Sequence, residues 1–146
     1  GHWSVTRRKV PGARSAGSSV YLPGRNLLLI AKAAVLAPLL NAGTIAIGTL
    51  RGNPFGDATQ CFRHSMSKAI SFAMHTEIKI IAPFSRRDKE DLMKMSSDLP
   101  LHLTFSCINP VRGIHCGRCN KCTERITAFR KAGLNDKTRY SYRPSR

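Results

Sequence analysis

Residues 106–122 read SCINPVRGIHCGRCNKC, and four of the chain's five cysteines fall inside that stretch. The use of those thiols decides what holds the C-terminal part of the chain together. Their spacing is Cys107-x8-Cys116-x2-Cys119-x2-Cys122. Cys116-Gly117-Arg118-Cys119 has the form of a metal knuckle, in which glycine permits the tight turn that aims two sulfurs and nearby N–H groups at one point. Cys122 follows one helical turn after Cys119, and Cys107 arrives from across the loop. Four thiolates leave no open coordination position, so the expected occupant is a structural Zn2+, one per chain, held in a loop over residues 104–125. An iron–sulfur cluster takes the same four ligands, and His115 beside Cys116 is an awkward substitute for one of them. Disulfides fit an oxidising compartment and not this reading. Cys61, the fifth cysteine, reads as a buried apolar residue.

Outward from the loop, the chain is large enough to fold without staples. At 146 residues it can bury roughly two-thirds of the surface its unfolded form exposes. The longest apolar run, LLLIAKAAVLAPLL, is broken by Lys32 and Pro38 and falls short of a membrane span. The first residues, GHWSVTRRKV, contain no apolar signal region. A cytoplasmic location is therefore expected, with no membrane partner. The charge is lopsided, 24 Lys+Arg against 8 Asp+Glu, and zinc binding by thiolates leaves it strongly basic. Such an excess fits anionic partners such as nucleotides, pyrophosphate or a nucleic-acid backbone.

Residues 1–20 are rich in Arg, Gly and Ser without an apolar period and are expected to be a mobile basic segment. The turn YLPGRN opens a helix of about a dozen residues from Asn26, ended or kinked by Pro38. TIAIG at 44–48 and EIKIIAPF at 77–84 read as strands. Between them RGNPFGDAT leads into a helix from Thr59 to Met74. Helices are also expected from Asp88 to Leu99 and from Thr123 to Lys131, the last stopped by Gly133. Helices alternating with strands through short connections predict an α/β class with a parallel sheet. Two strands are too few for such a sheet, which reads as incomplete in this chain.

Taken in order, YLPGRN, GNPFGDAT, PFSRRDKEDLMK, LTFSC, CGRCNKCTER and AFRKAGLND resemble the 7-cyano-7-deazaguanine synthase family, over Ser4 to Tyr140. The most specific part is TFSC-x8-CGxCxxCxxR with the ensuing AF. The resemblance implies a Rossmann-like ATP-pyrophosphatase fold with the zinc loop appended near the C-terminus. It implies ATP as co-substrate with Mg2+, 7-carboxy-7-deazaguanine and ammonia as substrates, a homodimer, and a place in queuosine biosynthesis. Carried over to this chain, it makes Arg25, Asn26, Asp57 and Lys89 candidate substrate or ATP contacts. Arg25 would face an anion at a helix mouth, Asp57 the amino-pyrimidinone edge of a guanine-like base, and Lys89 a phosphate. Each also has a plain structural reading: a turn arginine, an N-cap asparagine, a helix-capping aspartate, a solvated lysine.

Two departures bear on the transfer. Gln60-Cys61-Phe62 stands where the family carries Pro-Glu-Phe or similar, and the phosphate-cradling loop S-G-G-x-D-S is absent, since the chain holds no Gly-Gly pair. The expectation is that residues 1–146 are the C-terminal part of a single ATP-pyrophosphatase domain whose phosphate loop lies upstream. On that reading this chain does not hydrolyse ATP efficiently by itself. The rival readings are a related adenylating enzyme with another acid, and a basic zinc-stapled module that binds nucleic acid or protein without catalysis.

Overall fold

The computed structural model describes residues 1–142. The elements run α1 (Trp3–Thr6), α2 (Arg25–Leu36), β1 (Thr44–Ala46), α3 (Gln60–Met74), β2 (Lys79–Ile81), α4 (Lys89–Met95) and α5 (Asn120–Ala132), joined by 3-10 turns and loops. They fall into two compact units, residues 21–88 and residues 1–20 with 89–142.

In the 21–88 unit, β1 and β2 pair in parallel, with Thr44, Ile45 and Ala46 opposite Lys79, Ile80 and Ile81. The α/β expectation with a small parallel sheet holds. The strands are shorter than the sequence predicts because each offers its neighbour only three paired residues. Gly24 takes the left-handed conformation (φ 68) that closes the Leu-Pro-Gly turn and releases α2. Asn26, Ile30 and Ala34 recur every four residues along the buried side of α2. Ala37 follows at the helix end, and Pro38 converts the chain to a 3-10 turn as expected. Thr59 caps α3, its hydroxyl accepting from the Phe62 N–H at 3.1 Å. Ile30, Ala34, Ala37, Ile70 and Ile78 form the core, with Ile45, Ile47, Phe62 and Ile80 packed around it. The Ser71 hydroxyl accepts from the Ile78 N–H at 2.9 Å, fixing α3 against the start of β2.

The other unit is built on α4 and α5 and on the cysteine loop. Here α4 ends at Met95, earlier than expected, because Ser96 to Leu99 curl into successive turns before Pro100. The start of α5 lies at Asn120, so Cys122 is inside the helix. Its end has a Schellman form: Gly133 (φ 70) donates to the Arg130 carbonyl at 3.1 Å and Leu134 to the Phe129 carbonyl at 3.0 Å. Where the sequence expects a mobile segment, residues 1–20 hold α1, a 3-10 turn and backbone pairing to the cysteine loop. Gly12 bridges Cys119, and the Asn120 N–H donates to the Pro11 carbonyl at 3.0 Å. That carbonyl supplies an acceptor for the otherwise unpaired first N–H of α5. No sequence period signals such a partner, because it lies more than a hundred residues away.

Candidate metal centre and the paired loops

Cys107, Cys116, Cys119 and Cys122 are all buried, and their four Sγ atoms lie within 4.8 Å of one another. Cys107 and Cys119 are 3.8 Å apart at sulfur, Cys116 and Cys122 3.9 Å. Those separations are far beyond a sulfur–sulfur bond of about 2.05 Å. They match the edge of a tetrahedron, since four sulfurs about 2.3 Å from a common centre lie about 3.8 Å apart. The residues fit a metal ion in a closed four-thiolate site.

Backbone donors converge on the sulfurs. Asn109 and Cys116 each direct an N–H to Cys107 Sγ at 3.3 Å. Arg118 and Cys119 direct theirs to Cys116 Sγ at 3.4 and 3.3 Å. Burial pushes the Cys122 and Cys107 thiols up. At Cys119 burial also raises the thiol, but backbone N–H groups of Ile108 and Cys122 outweigh it and bring the thiol below its ordinary range. The knuckle form depends on Gly117, whose φ is 76.

His115 is not part of this donor set. It is buried, its Nε2 accepts from the Ser106 N–H at 3.2 Å, and its ring lies against Phe105 with centroids 4.4 Å apart. Burial and the nearby Arg125 charge depress its basicity. Its carbonyl accepts from the Ser141 N–H at 2.7 Å, so it braces the loop against the following segment. Arg118 stacks its guanidinium on Tyr142, 4.1 Å from the ring centroid. Cys61 corrects the sequence reading: it is exposed, because it sits in the first turn of α3 away from the side that buries Arg63 and Ile70.

In the 21–88 unit the structure brings YLPGRN and GNPFGDAT together. Tyr21 stacks on Phe55 with centroids 4.5 Å apart. Asp57 Oδ2 accepts from the Asn26 N–H at 3.0 Å, and Asn26 Nδ2 donates to the Asp57 carbonyl at 3.1 Å and to Oδ1 at 3.3 Å. Asp57 therefore caps α2 from a loop 31 residues away, while Thr59 caps α3. Asn26 is not the N-cap the sequence suggests; Gly24 occupies that position, and Asn26 is buried as the second residue of the helix. Arg25, next to this clasp, is exposed.

Lys89 belongs to the other unit. It pairs with Glu124 Oε1, while Lys121 Nζ donates to Oε2 at 2.6 Å. Burial raises the Glu124 carboxyl, but hydrogen bonds from Lys121 and Lys89 outweigh it and hold it below its ordinary range. Glu124 escapes the sequence reading because one of its two partners, Lys89, is 35 residues away. Arg125, the motif arginine, is buried and donates to Thr138 Oγ1, Thr104 Oγ1 and the Leu101 carbonyl at 2.6–3.1 Å. It ties α5 to the segments on either side. The spacing CxxR marks it, but nothing in the spacing names its partners.

The family described as queuosine biosynthesis protein QueC matches residues 4–133. The chain belongs to that family. It is 32% identical over 142 residues to the 7-cyano-7-deazaguanine synthase of Pyrococcus horikoshii, covering 90% of this chain and 59% of that protein. The 7-cyano-7-deazaguanine synthase of Nautilia profundicola is 34% identical over 137 residues, covering 90% and 61%. That of Methanocaldococcus jannaschii is 32% identical over 133 residues, covering 84% and 57%. This QueC-family chain thus spans about three-fifths of the length of the curated relatives it matches. No helix of its described residues is long and apolar enough to cross a membrane.

Proposed function

We propose that this chain is the C-terminal part of an ATP-dependent 7-cyano-7-deazaguanine synthase, with one structural Zn2+ in the four-cysteine cluster. In this reading an ATP-pyrophosphatase domain is completed by a segment outside residues 1–146 that carries S-G-G-x-D-S. The observation that carries it is the match of separate motifs in family order, two of which meet at Asn26 and Asp57. The zinc would be held by Cys107, Cys116, Cys119 and Cys122 and would supply a fixed tetrahedral junction, not a reacting centre.

The chemistry has two activations. A carboxylate oxygen is a poor leaving group, so transfer of AMP from ATP to 7-carboxy-7-deazaguanine gives an acyl adenylate and releases pyrophosphate. Ammonia adds to the acyl carbon, AMP departs with the C–O electron pair, and an amide remains after proton loss. The amide oxygen then attacks the α-phosphorus of a second ATP, releasing pyrophosphate and, with loss of one N–H proton, giving an O-adenylyl imidate. Departure of AMP with the C–O electron pair and loss of the second N–H proton leave the nitrile. Mg2+ and cationic side chains offset charge on the departing pyrophosphate. Arg25, exposed at the start of α2, is assigned to an anionic group of the substrates. Asp57 keeps carboxylate lone pairs for the base edge while Asn26 holds it in place. Lys89, drawn to Glu124, is assigned to phosphate. Cys61 in place of the family's glutamate leaves a related acid as the alternative substrate.

The test joins this chain to a family segment bearing S-G-G-x-D-S and supplies 7-carboxy-7-deazaguanine, ammonium, ATP and Mg2+. Mass spectrometry should show the nitrile, with two AMP per product. A second reading rests on Arg7, Arg8, Lys9 and Arg14, exposed in a segment without acids that pairs with the cysteine loop. Under it, the chain binds RNA with steep salt dependence and leaves the deazapurine acid untouched.

A further inference from the structure

Two hollows follow one another along the N-terminal segment, inside the unit that holds the metal centre. The first, of about 730 Å³, is lined by His2, Trp3, Arg8 and Lys9. The second begins at Val10, has about 460 Å³, and continues over Gly12, Val111, Arg118 and Tyr142. No acidic residue lines either. The asymmetry is wider than the hollows, since residues 1–20 and 99–123 contain no Asp or Glu. Arg7, Arg8, Lys9, Arg14 and Arg112 are exposed, and none is in an ion pair among the described residues. Four thiolates around a Zn2+ would carry two net negative charges, but these lie buried and are met by backbone N–H groups.

Charge is joined by flat rings. Arg118 lays its guanidinium over Tyr142, which is exposed, and the Trp3 Nε1 donates to the Ser19 carbonyl at 3.0 Å and so holds its ring in place. The backbone adds an independent sign. Arg7, Lys9 and Arg112 take φ values of 55, 54 and 48, a left-handed conformation in which the β-carbon crowds the carbonyl. Val111 and Ile114 exchange both backbone bonds, so Arg112 stands at the tip of a two-residue turn. Glycine would hold each of these positions without strain, and three cations held there point to a use for the side chains.

We propose that the two hollows form a track for single-stranded nucleic acid, with bases stacked on Tyr142 and Trp3 and phosphates met by Arg7, Arg8, Lys9 and Arg112. Every base has a π-face, so aromatic platforms in a cationic groove take a single strand of any sequence, whereas a duplex keeps its bases stacked inside. An acidic peptide would find the charge but has no use for the rings. The proposal rests on the nucleic-acid reading given above, adds its location and strandedness, and is independent of whether the completed synthase turns over.

Fluorescence anisotropy of labelled twelve-nucleotide oligouridylate, titrated with the intact zinc-loaded chain over a range of salt, tests it. Saturable binding is expected, with log K falling against log salt at a slope near about −3 for four phosphate contacts. Arg7→Gln/Arg8→Gln/Lys9→Gln should weaken binding at least about tenfold and flatten the slope by about 2. Tyr142→Ala should weaken it at least about fivefold with the slope unchanged, and Tyr142→Phe should restore it. Zinc content per chain reports that each variant is folded, and Lys32→Ala/Lys68→Ala, exposed in the other unit, should bind like the parent. Absence of saturable binding overturns both the track and the nucleic-acid reading. Binding that ignores the triple variant and Tyr142→Ala overturns the track alone. Polyglutamate or a duplex binding as tightly as oligouridylate also overturns it, as does uridine monophosphate competing as well per nucleotide as the oligomer. Relative affinity for oligouridylate and oligodeoxythymidylate identifies which single strand fits.

Discussion

At Gly117 the backbone adopts φ 76 while the Tyr142 carbonyl oxygen occupies the space a β-carbon would need. An alanine there must displace the segment lying over the knuckle and also bear a left-handed backbone that alone costs about 1–2 kcal/mol. Gly117→Ala should therefore lower both the urea midpoint and the metal affinity, and an unchanged pair would contradict the packing described. Asp57→Ala removes the acceptor that caps α2, for an expected loss of about 1 kcal/mol in chemical denaturation. Asp57→Asn keeps one side-chain oxygen that can turn to accept from the Asn26 N–H in place of Oδ2, and should cost less. Arg125→Met strands Thr104, Thr138 and the Leu101 carbonyl without their donor, for a loss on the order of 3 kcal/mol. At this scale the sequence was informative about residue types and silent about partners. Asp57 and Asn26 stand out in their motifs, yet the cap runs across 31 residues and no local pattern encodes it.

Element boundaries follow local chemistry where a local signal exists. Gly133, Pro38 and Thr59 end or begin helices where their backbone and hydroxyl preferences place them. The start of α5 was less legible, because Asn120 is supported by Pro11 and Ser15 of a distant segment and not by a local cap. The cysteine loop has no regular ladder beyond short bridges, so its order should depend on the ion its sulfurs fit. A strong chelator is expected to raise amide exchange over 104–122 and the first turn of α5 while sparing α2 and α3. Equal acceleration in all helices would contradict a local role for the centre. Cys122→Ser, at a fully buried ligand position, should abolish stoichiometric metal retention, whereas Cys61→Ser should leave it unchanged.

Across the whole molecule, the sequence pattern yields the α/β class and the metal cluster, because periodicity and cysteine spacing are local in the chain. It does not yield the division into two units, in which residues 1–20 join the C-terminal elements and not the strand-bearing segment that follows them. The contacts responsible are backbone bonds from Pro11, Gly12 and Ser15 to the cysteine loop, which any side chain could make. The claim on which the rest depends is that four thiolates enclose one metal ion in a chain of this family. Native mass spectrometry of the intact protein tests it most directly. The account predicts a single zinc per chain, with the protons of the cysteine thiols displaced and the metal lost in acid together with the folded charge-state distribution. A mass four hydrogens below the reduced chain, a mass carrying iron and sulfide, or a metal-free chain that keeps its compact charge states would each contradict it.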